Sequence, residues 1–454
     1  MNVNQKNELL ARGEVDREGM WPRIAEYESK AAPYLFEFGL KDLPTEPGLI
    51  TVRGPRQYGK STWLDLELRY SIEDFGAGCA FYINGDELNS AEELYDIIIK
   101  LCASFSKNAS VRRLFIDEIS AVDGWERAVK RAYDEGATRN VLIITTGSKS
   151  TDLLRGSERL PGRKGTLSRS EYLFLPISYN QFKLNTHREI KGDSAWISYL
   201  LSGGAPLAAN DIYQFERIPE YFIDLIRDWI LGEIVRSGRS RYALQQVLAA
   251  IYRRGGTPVG YAKLSRESGL ANNTVASGFV EQLSDLLSIV PQWQRDVEKD
   301  VFIFRKPAKF PFINLAAAIA FHPGTLRYVH EFQALSAASR AVLVEWLVAQ
   351  ELVRRASYNG ERDPTKLGFW ASKEHEIDFV APDGELYEVK LGQASSIEFA
   401  WFKKTFPKRH LTVICATPFE TDSVRGLTLE QFLIEGPSRM VHRFDLDKDE
   451  AEEI

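Results

Sequence analysis

Gly54, Gly59, Lys60 and Ser61 stand in the spacing GxxxxGK[ST], inside the stretch GLITVRGPRQYGKST. A polyphosphate presents several negative oxygens at close quarters, and consecutive backbone N–H groups at a helix start can meet them. The loop therefore needs an apolar strand before it and a helix after it. Both are legible, because residues 49–52 are apolar and WLDLELRYSI repeats its apolar positions at helical spacing. With glycine at roughly 7% of residues, chance would place this octapeptide in about one such chain in a hundred. Gly54, Pro55, Arg56, Gln57, Tyr58, Gly59, Lys60, Ser61 and Thr62 are thus a candidate nucleotide loop. In it Lys60 offers a point charge to the β- and γ-phosphates and the Ser61 hydroxyl a ligand for Mg²⁺, with Thr62 in that role if the helix begins one residue later.

Hydrolysis also requires a carboxylate on the metal and a group that orients water. RLFIDE, residues 113–118, supplies both at the end of a continuously apolar strand: Asp117 for Mg²⁺, directly or through water, and Glu118 to polarise the nucleophile. The plainer alternative is an acidic strand end that caps the next helix. Thr146 and Ser148 close a further apolar strand where a hydroxyl can sense the γ-phosphate, and Ser148 is the sensor candidate. Arg155, Arg159 and Arg163 follow in RGSERLPGRKG, and Arg163, after a Pro-Gly turn, is the candidate finger toward a neighbouring subunit's phosphate, or else a surface arginine. Strands expected at 80–83, 113–118, 141–145 and 172–175, alternating with helices, make this region an α/β fold with a parallel sheet and ligands at the strand C-termini.

GPRQYGKST, LFIDEI, the TTGS strand end, LPGR and LPISYNQF, in that order, resemble the prokaryotic AAA-type ATPases of the archaeal-ATPase branch, close to the signalling ATPases with numerous domains. The resemblance covers about residues 20–190, and it implies an ATPase core that hydrolyses ATP with Mg²⁺ and can assemble as a homo-oligomer. Substrate is not implied.

A second constellation lies in EHEIDFVAPDGELYEVK, residues 374–390. Two short strands around the PDG turn form a hairpin, with Asp378 on the face opposite Ile377 and Phe379, and with Glu388 and Lys390 sharing a face. Two carboxylates and an ammonium then converge, an arrangement suited to phosphodiester cleavage: Asp378 and Glu388 on a divalent metal, Lys390 orienting the water or neutralising developing charge. His375 and Glu376 read as bystanders. The pattern resembles the PD-(D/E)XK nuclease superfamily, which implies a first acid on a preceding helix, and Glu345 in AVLVEWLVAQEL is placed for it. A degenerate fold, with Lys390 merely salt-bridged to Glu388, is the competing reading.

Stepping along the 454 residues, length implies roughly three domains. The expected division is 1–184 for an N-terminal segment and the P-loop core, 185–240 for a helical lid, 241–312 for a winged helix, 313–444 for the nuclease-like domain and 445–454 for an acidic tail. In the winged-helix segment the helix from Thr274 would enter a DNA groove, yet its outward face (Asn273, Thr274, Ser277, Glu281, Gln282) carries no Lys or Arg, leaving Lys263, Arg266, Arg295, Arg305 and Lys306 as flanking phosphate contacts. A net charge of −6 excludes a protein that coats nucleic acid over its whole surface, so DNA contact must be local. Three cysteines without CxxC spacing support neither a disulfide framework nor a zinc site. With no apolar run long enough to span a bilayer and no signal-like N-terminus, the expectation is a soluble cytoplasmic chain.

Overall fold

The computed structural model describes every residue except 31–32, 148–152, 154–155, 157, 161, 164, 186–193 and 438–454. The chain divides into two compact units, Met1–Leu175 and Pro176–Ile454. Among the described residues no helix is long and apolar enough to cross a membrane. The expected sensor Ser148, Arg155 and the acidic tail lie outside the described residues.

The first unit is built on strands β1 (Gly48–Arg53), β2 (Ala80–Asn84), β3 (Arg113–Asp117), β4 (Leu142–Gly147) and β5 (Glu171–Leu173). They form one sheet in the order β2-β3-β4-β1-β5, and every pairing in it is parallel. Leu49, Ile50, Val52, Leu114, Phe115, Ile116, Leu142 and Ile144 are all buried, as strands covered on both faces require. Helices α3 (Lys60–Phe75), α4 (Ala91–Ser104) and α5 (Trp125–Asp134) follow β1, β2 and β3. Two N-terminal helices, α1 (Val3–Arg12) and α2 (Pro22–Glu28), complete the unit. An Asn2/Gln5 capping box starts α1, which then seats itself on β2 through the Asn7 amide, bonded at 2.8 Å to both the N–H and the carbonyl of Tyr82.

The second unit begins with helices Tyr179–Asn185, Ser194–Ser202, Pro206–Phe215 and Glu220–Arg236, and the GGAP break expected at 203–206 falls between the second and third. Helices Arg241–Arg254, Tyr261–Glu267 and Asn273–Asp285 precede the strand pair β6 (Trp293–Asp296) and β7 (Val301–Phe302), the helical and hairpin order expected of a winged helix. That pair does not end its own domain. Strands β8 (Gly368–Ala371), β9 (Glu376–Val380), β10 (Leu386–Val389), β11 (Leu411–Ile414), β12 (Phe419–Glu420) and β13 (Val424–Leu427) continue it into one eight-stranded mixed sheet, β12-β13-β11-β10-β9-β8-β6-β7. The open edge of β6 is satisfied by parallel pairing with β8, Trp293 opposite Gly368 and Gln294 opposite Phe369. One sheet thus spans strands before and after residues 312–313, and the division between the two compact units follows Leu175. The 22-residue helix Ala337–Tyr358 carries Glu345.

Candidate functional site

In the first unit the loop 54–59 leaves β1 and enters α3. Its glycines answer to specific geometry. A Cβ on Gly54 would stand 2.3 Å from the Phe174 carbonyl oxygen, and Gly59 holds φ at 97°, a left-handed value that suits glycine. Lys60 begins α3, is 4% exposed, and donates to the carbonyls of Gly54 and Pro55 at 2.9 and 2.8 Å. Burial pushes its ammonium below the usual lysine range, against the pull of Glu118 and Asp117.

It is Ser61 whose hydroxyl meets Asp117, donating to Oδ1 at 3.1 Å. Strand β4 lies between β1 and β3, so Thr146, next to last in β4, falls between the loop and the acids. The Thr146 hydroxyl donates to the same Asp117 Oδ1 at 2.5 Å and accepts the Glu118 N–H at 3.2 Å. Glu118 turns the chain out of β3 at φ 47° and ψ 42°. Non-glycine residues in this region are uncommon and cluster at functional sites. The sheet thus brings Lys60, Ser61, Asp117 and Glu118 to one end, with the Thr146 hydroxyl on the same Asp117 oxygen as Ser61.

Sequence spacing missed Arg23. This arginine of α2 reaches Asp117 Oδ2 at 3.3 Å and Asp65 Oδ2 at 3.4 Å, and the Tyr82 hydroxyl donates to the same Asp117 oxygen at 3.4 Å. Asp65 also binds Lys6 at 2.6 Å. A signal did exist, since Asp65 stands one helical turn beyond Ser61 and a buried carboxylate demands a cation, but nothing in the sequence identifies which one. Arg163 is ion-paired within its own unit, to Asp134 at 2.8 Å. Acting as a finger requires it to leave that partner, and surface pairs of this kind are weak.

The donor set fits a magnesium nucleotide: a buried lysine, a serine hydroxyl and a strand-end aspartate share one pole of the parallel sheet, beside a loop in which Gly54 and Gly59 stand where a Cβ would clash with Phe174 and Phe36. Lys60→Ala is expected to weaken ATP binding by about 100-fold or more, the loss of one or two charge-assisted hydrogen bonds at ~1.5–3 kcal/mol each. Titration with a fluorescent ATP analogue checks it, and undiminished affinity would remove Lys60 from the phosphate site.

In the second unit the hairpin β9–β10 pairs Leu386 with Val380 and Tyr387 with Phe379, which leaves Asp378 and Glu388 side by side. The Asp378 N–H donates to Glu388 Oε2 at 3.2 Å, and Lys390 binds Glu388 Oε1 at 2.6 Å. Glu345 joins them from its helix. What the spacing did not show is Lys309, 2% exposed, whose ammonium lies 2.6 Å from Glu376, 3.1 Å from Asp378 and 3.7 Å from Glu345. Glu376 is accordingly no bystander, whereas His375 stacks on Trp401 with ring centroids 4.1 Å apart. Burial pushes the Glu388 carboxyl up, and Asp378 adds to the shift. Among the described residues no three His, Cys, Asp or Glu side chains are arranged to hold a metal ion.

Of the flanking cations expected to touch DNA, Arg295 is removed: it is buried, binds Asp300 and donates to the Ala381 carbonyl at 2.9 Å, so it braces the sheet. Arg239 covers the Phe279 ring and Arg254 pairs with Glu267, while Lys263, Arg266, Arg305 and Lys306 remain exposed.

Residues 46–183 match the model of the AAA domain family. No curated protein matches the chain in sequence. Among solved structures it is similar to a Walker-type ATPase of Pyrococcus abyssi, 15% identical over 69% of this chain and 97% of that one with a TM-score of 0.42. A variant of RuvB from Thermotoga maritima is 16% identical over 54% of this chain and 82% of that one, TM-score 0.31. The ORC2 protein of Aeropyrum pernix is 11% identical over 63% of this chain and 91% of that one, TM-score 0.32.

Proposed function

We propose, from a chain whose residues 46–183 match the AAA domain family, that it binds and hydrolyses ATP with Mg²⁺ and uses the cycle as a switch on a partner. The observation that carries this reading is the convergence of the Ser61 and Thr146 hydroxyls on one oxygen of Asp117, with Lys60 and Glu118 beside it. Mg²⁺, held by Ser61 and Asp117, would supply charge neutralisation at the phosphates. The chain's own residues do the rest. Lys60 exchanges its loop carbonyls for phosphate oxygens; Thr146 holds Asp117 in one rotamer; Glu118 accepts the proton of the attacking water. An exchange of neutral carbonyl partners for an anion also offsets the effect of burial on the lysine.

Two forms of the switch differ in the second unit. In one, ATP state directs a DNA-cutting site in which Asp378 and Glu388 hold metal and Lys390 assists. In the other, the nuclease-like sheet is inactive and the ATPase assembles with itself or with protein partners. The contact of Lys309 with Glu345, Glu376 and Asp378 favours the second. ATP turnover and cleavage of single-stranded, duplex and branched DNA, each with Mg²⁺ or Mn²⁺ and with or without ATP, test both forms in wild type beside Lys390→Ala. Turnover without cleavage is the expected result. Metal-dependent cutting that Lys390→Ala abolishes would restore the nuclease form, and absence of Mg²⁺-linked ATP binding would end both. DNA binding, where it occurs through Lys263, Arg266, Arg305 and Lys306, is expected to weaken steeply between 50 and 200 mM salt, roughly tenfold or more for a few phosphate contacts.

A further inference from the structure

A divalent ion in a phosphodiester-cutting site neutralises the carboxylates that hold it. In the C-terminal sheet the chain has already met that demand. Both oxygens of Asp378 are engaged: Oδ1 by Lys309 at 3.1 Å and Oδ2 by the Val389 N–H at 3.0 Å. Both oxygens of Glu388 are engaged as well, Oε1 by Lys390 at 2.6 Å and Oε2 by the Asp378 N–H at 3.2 Å. The two acids that a metal would need have every oxygen bonded to the protein, and a divalent cation beside them would face the Lys309 ammonium directly.

Lys309 is also held in place from behind. Its backbone exchanges N–H and carbonyl bonds with Gln292, both at 2.9 Å. The fully buried Gln292 amide is pinned in turn, donating to the carbonyls of Gly368 at 2.8 Å and Asp378 at 2.6 Å. The Phe369 ring lies 5.4 Å from the ammonium. The lysine residue as a whole is 1% exposed. The donor set, with that ammonium among it, does not fit a divalent metal.

We propose that Lys309 is a built-in cation standing in for the divalent metal of a nuclease-like site, so that the natural cluster takes no metal and a chain lacking this ammonium gains a metal site at Glu345, Glu376 and Asp378. The inference rests on the inactive form of the C-terminal sheet and is independent of the ATPase reading. It also explains why the lysine of the ExK pattern, Lys390, closes on Glu388: with no ion to share, each acid takes a cation or amide from the chain.

The test is Mn²⁺ titration of the nucleotide-free full-length chain, by calorimetry and by thermal melting, for wild type, Asp378→Asn, Lys309→Gln and the Lys309→Gln/Asp378→Asn double variant. Wild type and Asp378→Asn are expected to give superimposable titrations. Lys309→Gln is expected to acquire one saturable site at least tenfold tighter than any in wild type, with a melting temperature that rises with Mn²⁺, and the double variant to lose it. Mn²⁺ binding in wild type that Asp378→Asn removes would overturn the proposal, as would a folded Lys309→Gln chain that gains no site. Should Lys309→Gln fail to fold, the wild-type and Asp378→Asn pair decides: identical titrations support the proposal and a difference rejects it. A wild type that neither cuts DNA nor yields a metal site on losing Lys309 would sink this inference alone, leaving the inactive form standing.

Discussion

Glu118→Gln is expected to lower ATP turnover by about 10²–10⁴-fold while leaving ATP affinity nearly unchanged, the range associated with removing a general base. The glutamine is isosteric and keeps the side chain's reach, so the substitution isolates proton acceptance from shape. It also spares the backbone. Position 118 holds φ at 47°, and its N–H donates to the Thr146 hydroxyl at 3.2 Å, a main-chain bond that the new side chain leaves intact. Metal binding should be spared, because the proposed ligands are Ser61 and Asp117. The variant should therefore trap nucleotide: single-turnover kinetics would show a slow chemical step, and ATP should co-elute with the protein where the wild type releases ADP. Equal hydrolysis in the two proteins would take the water-orienting role from Glu118. Asp117→Asn gives a contrasting signature. It should lose Mg²⁺-dependent affinity as well as rate, since Asp117 is joined to Ser61, Thr146, Tyr82 and Arg23 together.

The residues of the candidate nucleotide site were legible as a group because their motifs are local. Gly54 to Thr62 is one loop and the start of one helix, and Asp117 with Glu118 ends one apolar strand. Each motif fixes its own backbone context, and the parallel sheet needs only to set the two strand ends on the same side. The sheet order was not legible, because an apolar strand buried on both faces carries no mark of its neighbours. That order places Thr146 between the loop and the acids. Arg23 and Lys309 were illegible for a related reason. Arg23 lies 94 residues from Asp117, and Lys309 lies 69 residues from Asp378. Contacts at such separations are created by topology, which no spacing records.

Glu376 is a different case, since the alternation that set Asp378 on one face of β9 sets Glu376 on the same face. Two acids on one face of a strand require a cation, and asking for it would have pointed to a buried lysine. The hairpin at 293–302 carried no mark of the strand that pairs with it. Helices and hairpin were placed in order, but a two-stranded hairpin leaves backbone donors and acceptors along its edge, and β8 satisfies them.

The largest stability effect is expected at Glu351. This carboxylate of the helix Ala337–Tyr358 is 1% exposed and binds Arg354 at 2.7 and 2.9 Å and Arg355 at 2.8 Å, the i+3 and i+4 neighbours on its face. Both arginines continue outward: Arg354 donates to the Pro437 carbonyl at 2.9 Å, and Arg355 donates to the Phe432 carbonyl and lies 4.1 Å over that residue's ring. The cluster thus ties the helix Leu429–Ile434 and the segment after it to the long helix. Glu351→Ala leaves the buried Arg354 guanidinium without its counter-charge, at a cost of about 3–5 kcal/mol. For a unit of this size that is a fall in melting temperature on the order of 10 °C. Replacing both charges, Glu351→Leu with Arg354→Met, is expected to recover most of the loss, because apolar pairs of similar volume commonly match a buried ion pair. Acid separates the two explanations. Burial would raise the Glu351 carboxyl, yet Arg354 and Arg355 reverse this and hold it below the usual carboxylate range. With the folded-state pKa depressed, the stabilisation is complete above the unfolded value of about 4.3 and is lost as pH falls through the lower folded value. Melting temperatures measured from pH 6 down to pH 3 should therefore fall more steeply for wild type than for the double variant. Parallel acid profiles would show that the ion pair contributes nothing beyond the space it fills.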